Sequence, residues 1–259
     1  MSPRKIAVIG GGSFGTAIAN LLAENGHATC LLLRDERRAE EINTHHVNSA
    51  YLPRLHLHAN MRASTAIADA VAGCDIVFMA VPSPSCREAS RQLAPHIVDG
   101  AILISTTKGI EAGSYKLMSQ VITEEIGNIR LGVMSGPNLD GEIAERQLTG
   151  TVIASADPDL NRTIQQVMHS SYFRVYSGND MYGVELGGAL KNIYAIIAGM
   201  AAALELGQNT VGLLITRGLA EMSRFAVELG ANPLTFIGLA GVGDLIVTCV
   251  SPLSRNFRV

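Results

Sequence analysis

Short apolar runs separated by helical-period stretches dominate the first two thirds of this chain. Residues 6–9, 28–33, 76–81, 101–105, 131–134, 151–155 and 173–176 are brief and almost continuously apolar, the pattern of strands buried on both faces. Helical spacing fills the gaps over residues 16–25, from the Ser83-Pro84 cap pair to just before Pro95, over 114–126, and from Asp157-Pro158 onward. The alternation predicts an α/β fold with a doubly wound parallel sheet, whose ligand crevice lies at the carboxyl ends of the strands. Beyond Gly178 the period changes to helical throughout. Residues 180–206, 210–229 and 233–239 are expected as helices, with Gly207 and Gly230 as C′ residues and Asn232-Pro233 as a cap. The reading divides the chain into a sheet domain, residues 1–178, and an all-helical domain, residues 179–259.

The turn after the first strand is Gly10-Gly11-Gly12-Ser13-Phe14-Gly15. A GxGxxG turn between strand and helix is the dinucleotide-binding fingerprint of Rossmann-type domains. Gly10 allows the tight turn, Gly12 lets the backbone approach a pyrophosphate, and Gly15 lets helix and strand pack closely. The helix start then offers free N–H groups to the phosphates. At the end of the second strand, Leu33-Arg34-Asp35 leaves the cofactor open between NAD and NADP. Arg34 suits adenine stacking or a 2′-phosphate, Asp35 suits a ribose 2′-hydroxyl, and a solvated surface arginine is the plain alternative.

Composition narrows the class. With 259 residues, 47% hydrophobic and 17% charged, the chain buries a large core. A net charge of −3 argues against nucleic acid or an anionic membrane as the main partner, so any phosphate chemistry must be local. Cys30, Cys74, Cys86 and Cys249 lack CxxC or metal-like spacing, and the N-terminus runs directly into the first strand, so reduced thiols and a cytoplasmic location are expected. His45-His46 and His56-x-His58 read as surface residues, and no metal is assigned. The apolar stretch 186–204 is interrupted by Lys191 and Asn192, which fits a buried helix better than a membrane span.

Lys191 is the only charged residue in that stretch. An unpaired buried ammonium is costly, so Lys191 either has a partner and a task or snorkels to water along its stem. A desolvated lysine has a lowered pKa and can exchange a proton with a substrate oxygen. Lys108 and the Ser135-Gly136-Pro137-Asn138 turn follow two of the strands on the crevice side. Ser254-Arg255-Asn256 places three donors in a row, suited to a phosphate.

The segments GGGSFGTAIA, STTKGIE, SGPN, ELGGALKNIYAI, NTVGLLITRGLAEM and AGVGDLIVTCVSPLSRN, in this order along the whole chain, closely resemble the bacterial NAD(P)-dependent sn-glycerol-3-phosphate dehydrogenases. The resemblance implies reversible reduction of dihydroxyacetone phosphate to glycerol 3-phosphate for phospholipid synthesis, with NAD or NADP as cofactor. It implies Lys191 as the general acid and base, and Lys108, Gly136, Asn138, Lys191, Asp244, Ser254, Arg255 and Asn256 at substrate positions. Ser13, Phe14, Arg34, Lys108 and Arg255 match cofactor positions beside Gly10, Gly12 and Gly15. A homodimer acting on a small phosphate substrate is also implied.

Three departures from the family stand out. Phe14 replaces the common tryptophan, Asn138 replaces a small hydroxyl residue, and Asp140 replaces alanine beside the cofactor, where a carboxylate repels pyrophosphate. Relatives continue beyond Val259 with a further helical segment, so the chain reads as C-terminally incomplete. The rival readings are another two-domain hydroxyacid dehydrogenase and a catalytically degenerate NAD(P)-binding sensor.

Overall fold

The computed structural model describes residues 2–258. The chain opens with β1 (Lys5–Ile9), α1 (Ser13–Glu24), β2 (Ala28–Leu32) and α2 (Glu36–His45), followed by β3 (Met61–Ser64), α3 (Ile67–Ala70) and β4 (Ile76–Met79). It continues through α4 (Ser83–Leu93), β5 (Ile102–Ser105), α5 (Met118–Ile126), β6 (Arg130–Ser135) and α6 (Asp140–Ala144) to β7 (Thr149–Ala154), α7 (Pro158–Met168) and β8 (Phe173–Gly178). The remainder is helical: α8 (Met181–Ala203), α9 (Gln208–Glu228), α10 (Pro233–Phe236), a π turn over Leu239–Gly243 and α11 (Asp244–Val250).

One sheet runs in the order β3-β2-β1-β4-β5-β6-β7-β8. The strands up to β6 are parallel, and β8 is parallel to β7. The expected parallel sheet has one exception, because β7 runs antiparallel to β6. The connecting segment stays at the carboxyl edge of β6, where α6 packs on α1, and never crosses back over the sheet. The order reverses at β1 and β4, which opens the crevice beside the glycine turn.

Both sheet faces are covered. Val8, Ile18, Leu21, Leu31 and Phe78 are fully buried on the side that α1 and α7 cover, each burial supplying roughly 2 kcal/mol of transfer free energy. Val77, Leu103, Met118 and Val121 form the second core with α4 and α5. A third core joins Leu186, Met222, Phe236 and Leu245 of the helices to Leu117 of the sheet region.

Several local expectations change. The N-cap of α4 is Pro82, with Ser83 already helical and no side-chain cap. Gly207 is the extended N-cap of α9 (φ −68°), while the left-handed residue after α8 is Glu205 (φ 55°). Helix α5 begins at Met118, because Ile110 and Leu117 form a β-bridge that holds the preceding residues out of the helix. Helix α8 buries only one face: Ile193, Met200 and Leu204 are 54%, 57% and 70% exposed. It is long and apolar enough to cross a bilayer, but 44% of its apolar window is buried against the rest of the chain. Its covered side is lined by small residues, Gly187, Gly188, Ala195 and Ala198, together with Glu185 and Lys191.

Candidate active site

The glycine turn is dense on one side and open on the other. A Cβ at Gly15 would lie 2.0 Å from the Gly10 carbonyl oxygen, and one at Gly10 would lie 2.4 Å from the Ala80 carbonyl oxygen, so neither position admits a side chain. A Cβ at Gly12 would meet nothing within 4 Å. Gly12 is also the N-cap of α1 and supplies no side-chain cap, which leaves the first-turn N–H groups for an incoming anion. These features fit a dinucleotide pyrophosphate. Phe14 is partly buried against the core beside this turn.

Arg34 and Asp35 part company in the structure. The Asp35 carboxylate caps α2, accepting from the N–H groups of Arg37 (3.1 Å) and Arg38 (3.3 Å) and from Arg38 Nε (3.0 Å). Those contacts hold its pKa down, the Arg38 side-chain bond most of all. Arg34 is exposed. At the other side of the crevice, Asp140 opens α6, with its Oδ1 accepting from the Gly141 N–H at 2.9 Å.

Lys191 does not snorkel. It is 6% exposed, and its ammonium donates to Thr248 Oγ1 (2.6 Å) and to Asp244 Oδ1. Asp244, itself 2% exposed, accepts from Lys108 Nζ at 2.6 Å on its other oxygen, where Ser135 Oγ also approaches at 3.4 Å. Thr248 lies one turn on from Asp244 in α11 and donates back to its carbonyl at 2.6 Å. Two ammoniums therefore share one buried carboxylate, leaving a net positive charge suited to an anionic substrate in a chain of net charge −3. Burial foremost, with the nearby Lys108 charge, lowers the Lys191 pKa to about 8 even against the attraction of Asp244.

The carboxyl ends of β5 and β6 complete this wall. Lys108 Nζ also reaches the Gly136 carbonyl at 3.4 Å. Gly136 holds φ +156°, and a Cβ there would sit 3.1 Å from Thr151 Cα on β7. Asn138 Nδ2 donates to Thr151 Oγ1 at 2.8 Å, while its Oδ1 is buried without a hydrogen-bond partner.

Ser254, Arg255 and Asn256 do not form one convergent patch. Ser254 is buried and its hydroxyl oxygen accepts from the Phe257 N–H at 3.3 Å, which shapes the terminal turn. Asn256 donates to Asn192 Oδ1 at 2.7 Å, bringing it beside Lys191 in α8, and Arg255 is exposed. Residue reasoning overlooked Thr248, Asn192 and the Ser135 hydroxyl. Their signal was available: each lies in a segment already singled out, next to or one helical turn from a candidate residue. All four cysteines are buried, unpaired thiols, and among the described residues no three His, Cys, Asp or Glu side chains are grouped to hold a metal.

A glycine turn of dinucleotide-binding form at a sheet switch point, with a buried lysine and carboxylate carried by helices at the ends of β5 and β6, defines a Rossmann-type nucleotide-dependent oxidoreductase. Residues 5–161 match the family description NAD-dependent glycerol-3-phosphate dehydrogenase N-terminus, and residues 180–259 match the corresponding C-terminus. The chain belongs to the NAD-dependent glycerol-3-phosphate dehydrogenase family. It is 57% identical over 255 residues to the glycerol-3-phosphate dehydrogenase (NAD(P)+) of Teredinibacter turnerae, covering 98% of this chain and 75% of that relative. The Pseudomonas fluorescens enzyme of the same name is 56% identical over 258 residues, covering 99% of this chain and 75% of its own. The crystal structure of glycerol-3-phosphate dehydrogenase from Coxiella burnetii superposes with a TM-score of 0.95 at 36% identity, covering 99% of this chain and 78% of that one. The yeast (Saccharomyces cerevisiae) enzyme gives a TM-score of 0.88 at 32% identity, covering 99% and 79%.

Proposed function

We propose that this chain interconverts dihydroxyacetone phosphate and sn-glycerol 3-phosphate, with Lys191 as the proton donor in reduction and acceptor in oxidation. The nicotinamide, when bound, supplies or takes up the hydride. Lys191 holds its proton at the substrate C2 oxygen, so negative charge developing there is neutralised as it forms. Asp244 keeps the Lys191 and Lys108 ammoniums close together, and Thr248 fixes the direction of the Lys191 side chain. Gly136 and Asn138 lie at the carboxyl end of β6 beside Lys108, where the resemblance places the substrate. Arg255 and Asn256 take the phosphate end and thereby orient C2, while Ser254 shapes the turn that carries them.

Asp35 is committed to capping α2, which favours Arg34 as the reader of a 2′-phosphate and hence NADPH over NADH. A cytoplasmic homodimer, implied by the family resemblance, belongs to this reading; the exposed apolar side of α8 is surface of the kind a subunit contact covers. Sedimentation velocity checks the dimer.

The observation that carries the catalytic reading is the buried Lys191 ammonium with its pKa lowered to about 8. The test is NADPH and NADH oxidation in the presence of dihydroxyacetone phosphate, for the native chain and for Lys191→Ala. We expect kcat to fall about 10²- to 10⁴-fold in the variant, with cofactor binding retained. Turnover of a 3-oxoacid in place of dihydroxyacetone phosphate overturns the substrate assignment, and cofactor binding without any turnover supports a sensor instead.

A further inference from the structure

Glu185 is the other buried ionisable residue of α8, at 6% exposure, and the chemistry above does not use it. Its Oε1 accepts from the Ser119 N–H at 2.9 Å, and its Oε2 accepts from the Ser119 hydroxyl. The Met118 N–H also interacts with this carboxyl. Met118 and Ser119 are the first residues of α5, on the far side of the sheet region from the glycine turn's helix. Leu117, the N-cap of α5, has no side-chain acceptor to offer. Gln120 Oε1 turns back to accept from the Leu117 N–H at 2.9 Å, and the Met118 and Ser119 N–H groups fall to Glu185. A carboxylate from α8 therefore caps α5 in place of a local side chain.

The next residues of α8 are pressed against the same body. A Cβ on Gly187 would lie 2.6 Å from the Ala240 carbonyl oxygen, and one on Gly188 would lie 2.9 Å from Ser135 Oγ. Lys191 follows Glu185 by roughly 9 Å along the helix axis. The Glu185 cap ties α8 directionally to α5 beside this close contact, adding to the bonds that Lys191 and Asn192 make further along α8 to Asp244, Thr248 and Asn256.

We propose that Glu185 is a positioning residue for the reaction, fixing the register of α8, and with it the Lys191 ammonium, by capping α5. The inference rests on Lys191 as the proton donor. Ionisation state enters directly. The carboxylate complements the positive N-terminal end of α5, whereas a protonated carboxyl loses that charge and donates to the Ser119 hydroxyl instead of accepting from it. Burial raises the Glu185 pKa to about 7, so the two states exchange near neutral pH. From α5 the carboxyl faces the Ser119 hydroxyl and the Met118 and Ser119 N–H groups. From α4 the ionisable group that interacts with it is the Cys86 thiol, itself pushed up to about 11 by burial, with Glu111 acting on that same thiol.

The test compares the native chain with Glu185→Gln, which has the shape and hydrogen-bonding pattern of the protonated form and does not titrate. Amide hydrogen exchange over residues 118–121 reads the cap, and kcat and KM for dihydroxyacetone phosphate are measured from about pH 6 to pH 9. Native kcat is expected to fall about three- to tenfold as pH drops through about 7, with KM changing less than about twofold. The Gln variant is expected to lack the acid limb and to stay below the native kcat above about pH 7, keeping only the alkaline decline that Lys191 imposes, with α5 amides exchanging about tenfold faster at about pH 8. A variant with native kcat and a native acid limb, or with unchanged α5 exchange, overturns the proposal. Lys191→Ala separates the two readings: it lowers kcat about 10²- to 10⁴-fold while leaving α5 exchange unaltered. Native-like turnover in that variant removes the proton-donor reading and the catalytic half of this proposal with it, whereas the exchange data still judge the cap.

Discussion

Replacing Asp244 by asparagine keeps the shape of the side chain and removes the one negative charge between two ammoniums. In the native site the Asp244 carboxylate contacts Lys108 Nζ at 2.6 Å and the Lys191 ammonium on its other oxygen, and it is 2% exposed. At an effective dielectric of about 20, opposite charges about 3 Å apart attract by roughly 5 kcal/mol. Breaking a buried pair from one side costs about 3–5 kcal/mol for the same reason. The Lys191 ammonium in Asp244→Asn then faces burial and Lys108 repulsion together, the two leading causes that already lower its pKa to about 8. Since 1.36 kcal/mol corresponds to one pKa unit, a further fall of about two units is well within that energy.

The sign follows from the role. Reduction needs the protonated lysine, so its rate declines as pH rises through the Lys191 pKa. Lowering that pKa from about 8 to about 6 reduces the protonated fraction at about pH 7.5 from roughly three quarters to a few per cent, and kcat/KM for dihydroxyacetone phosphate by about 25-fold. Reduction is followed by NADPH absorbance from about pH 5.5 to pH 9.5, with circular dichroism confirming that the variant is folded. An alkaline limb that stays near pH 8 in Asp244→Asn refutes the electrostatic coupling of these residues.

Two further substitutions probe the cofactor side. Arg34→Ala removes the free guanidinium beside the committed Asp35 and should raise KM for NADPH about tenfold or more while leaving NADH nearly unchanged, as a lost charge-assisted bond of about 1.5–3 kcal/mol requires; equal effects on both cofactors in steady-state assays exclude Arg34 as the 2′-phosphate reader. Asp140→Ala removes a carboxylate from the start of α6, the helix packed on α1, and should tighten NADPH binding about two- to fivefold in fluorescence titration. Weaker binding in that variant shows that Asp140 supports the site rather than opposing the pyrophosphate.

Seven of the strands were legible along the chain because strands buried on both faces must be continuously apolar. The glycine turn was legible for a related reason: a backbone packed within van der Waals reach of Gly10 and Gly15 excludes every side chain, and that exclusion is written in residue type. Strand β3 and helix α2 escaped notice. β3 is a short edge strand with two exposed or half-exposed positions, and α2 is so polar that only Ala39 and Ile42 are buried, so neither carries a strong periodic signal. Gly207 is the residue whose type suits the end of α8, yet Glu205 takes the left-handed position there. Residue type biases a helix terminus without fixing which nearby residue turns it.

By itself, the sequence determined the class of fold, the glycine turn after β1, and the presence of an anomalous lysine in an apolar helix. Whether that lysine reaches water or a partner was open in the sequence. Tertiary structure decided it by bringing Asp244 and Thr248 of α11, Lys108 from the end of β5 and Ser135 of β6 to one point. It likewise joined Glu185 to the start of α5. Both outcomes depend on the distance between side chains remote in sequence, and electrostatic and hydrogen-bond energies fall off over a few ångströms. Local patterning controls which elements form; only their packing controls which charges meet.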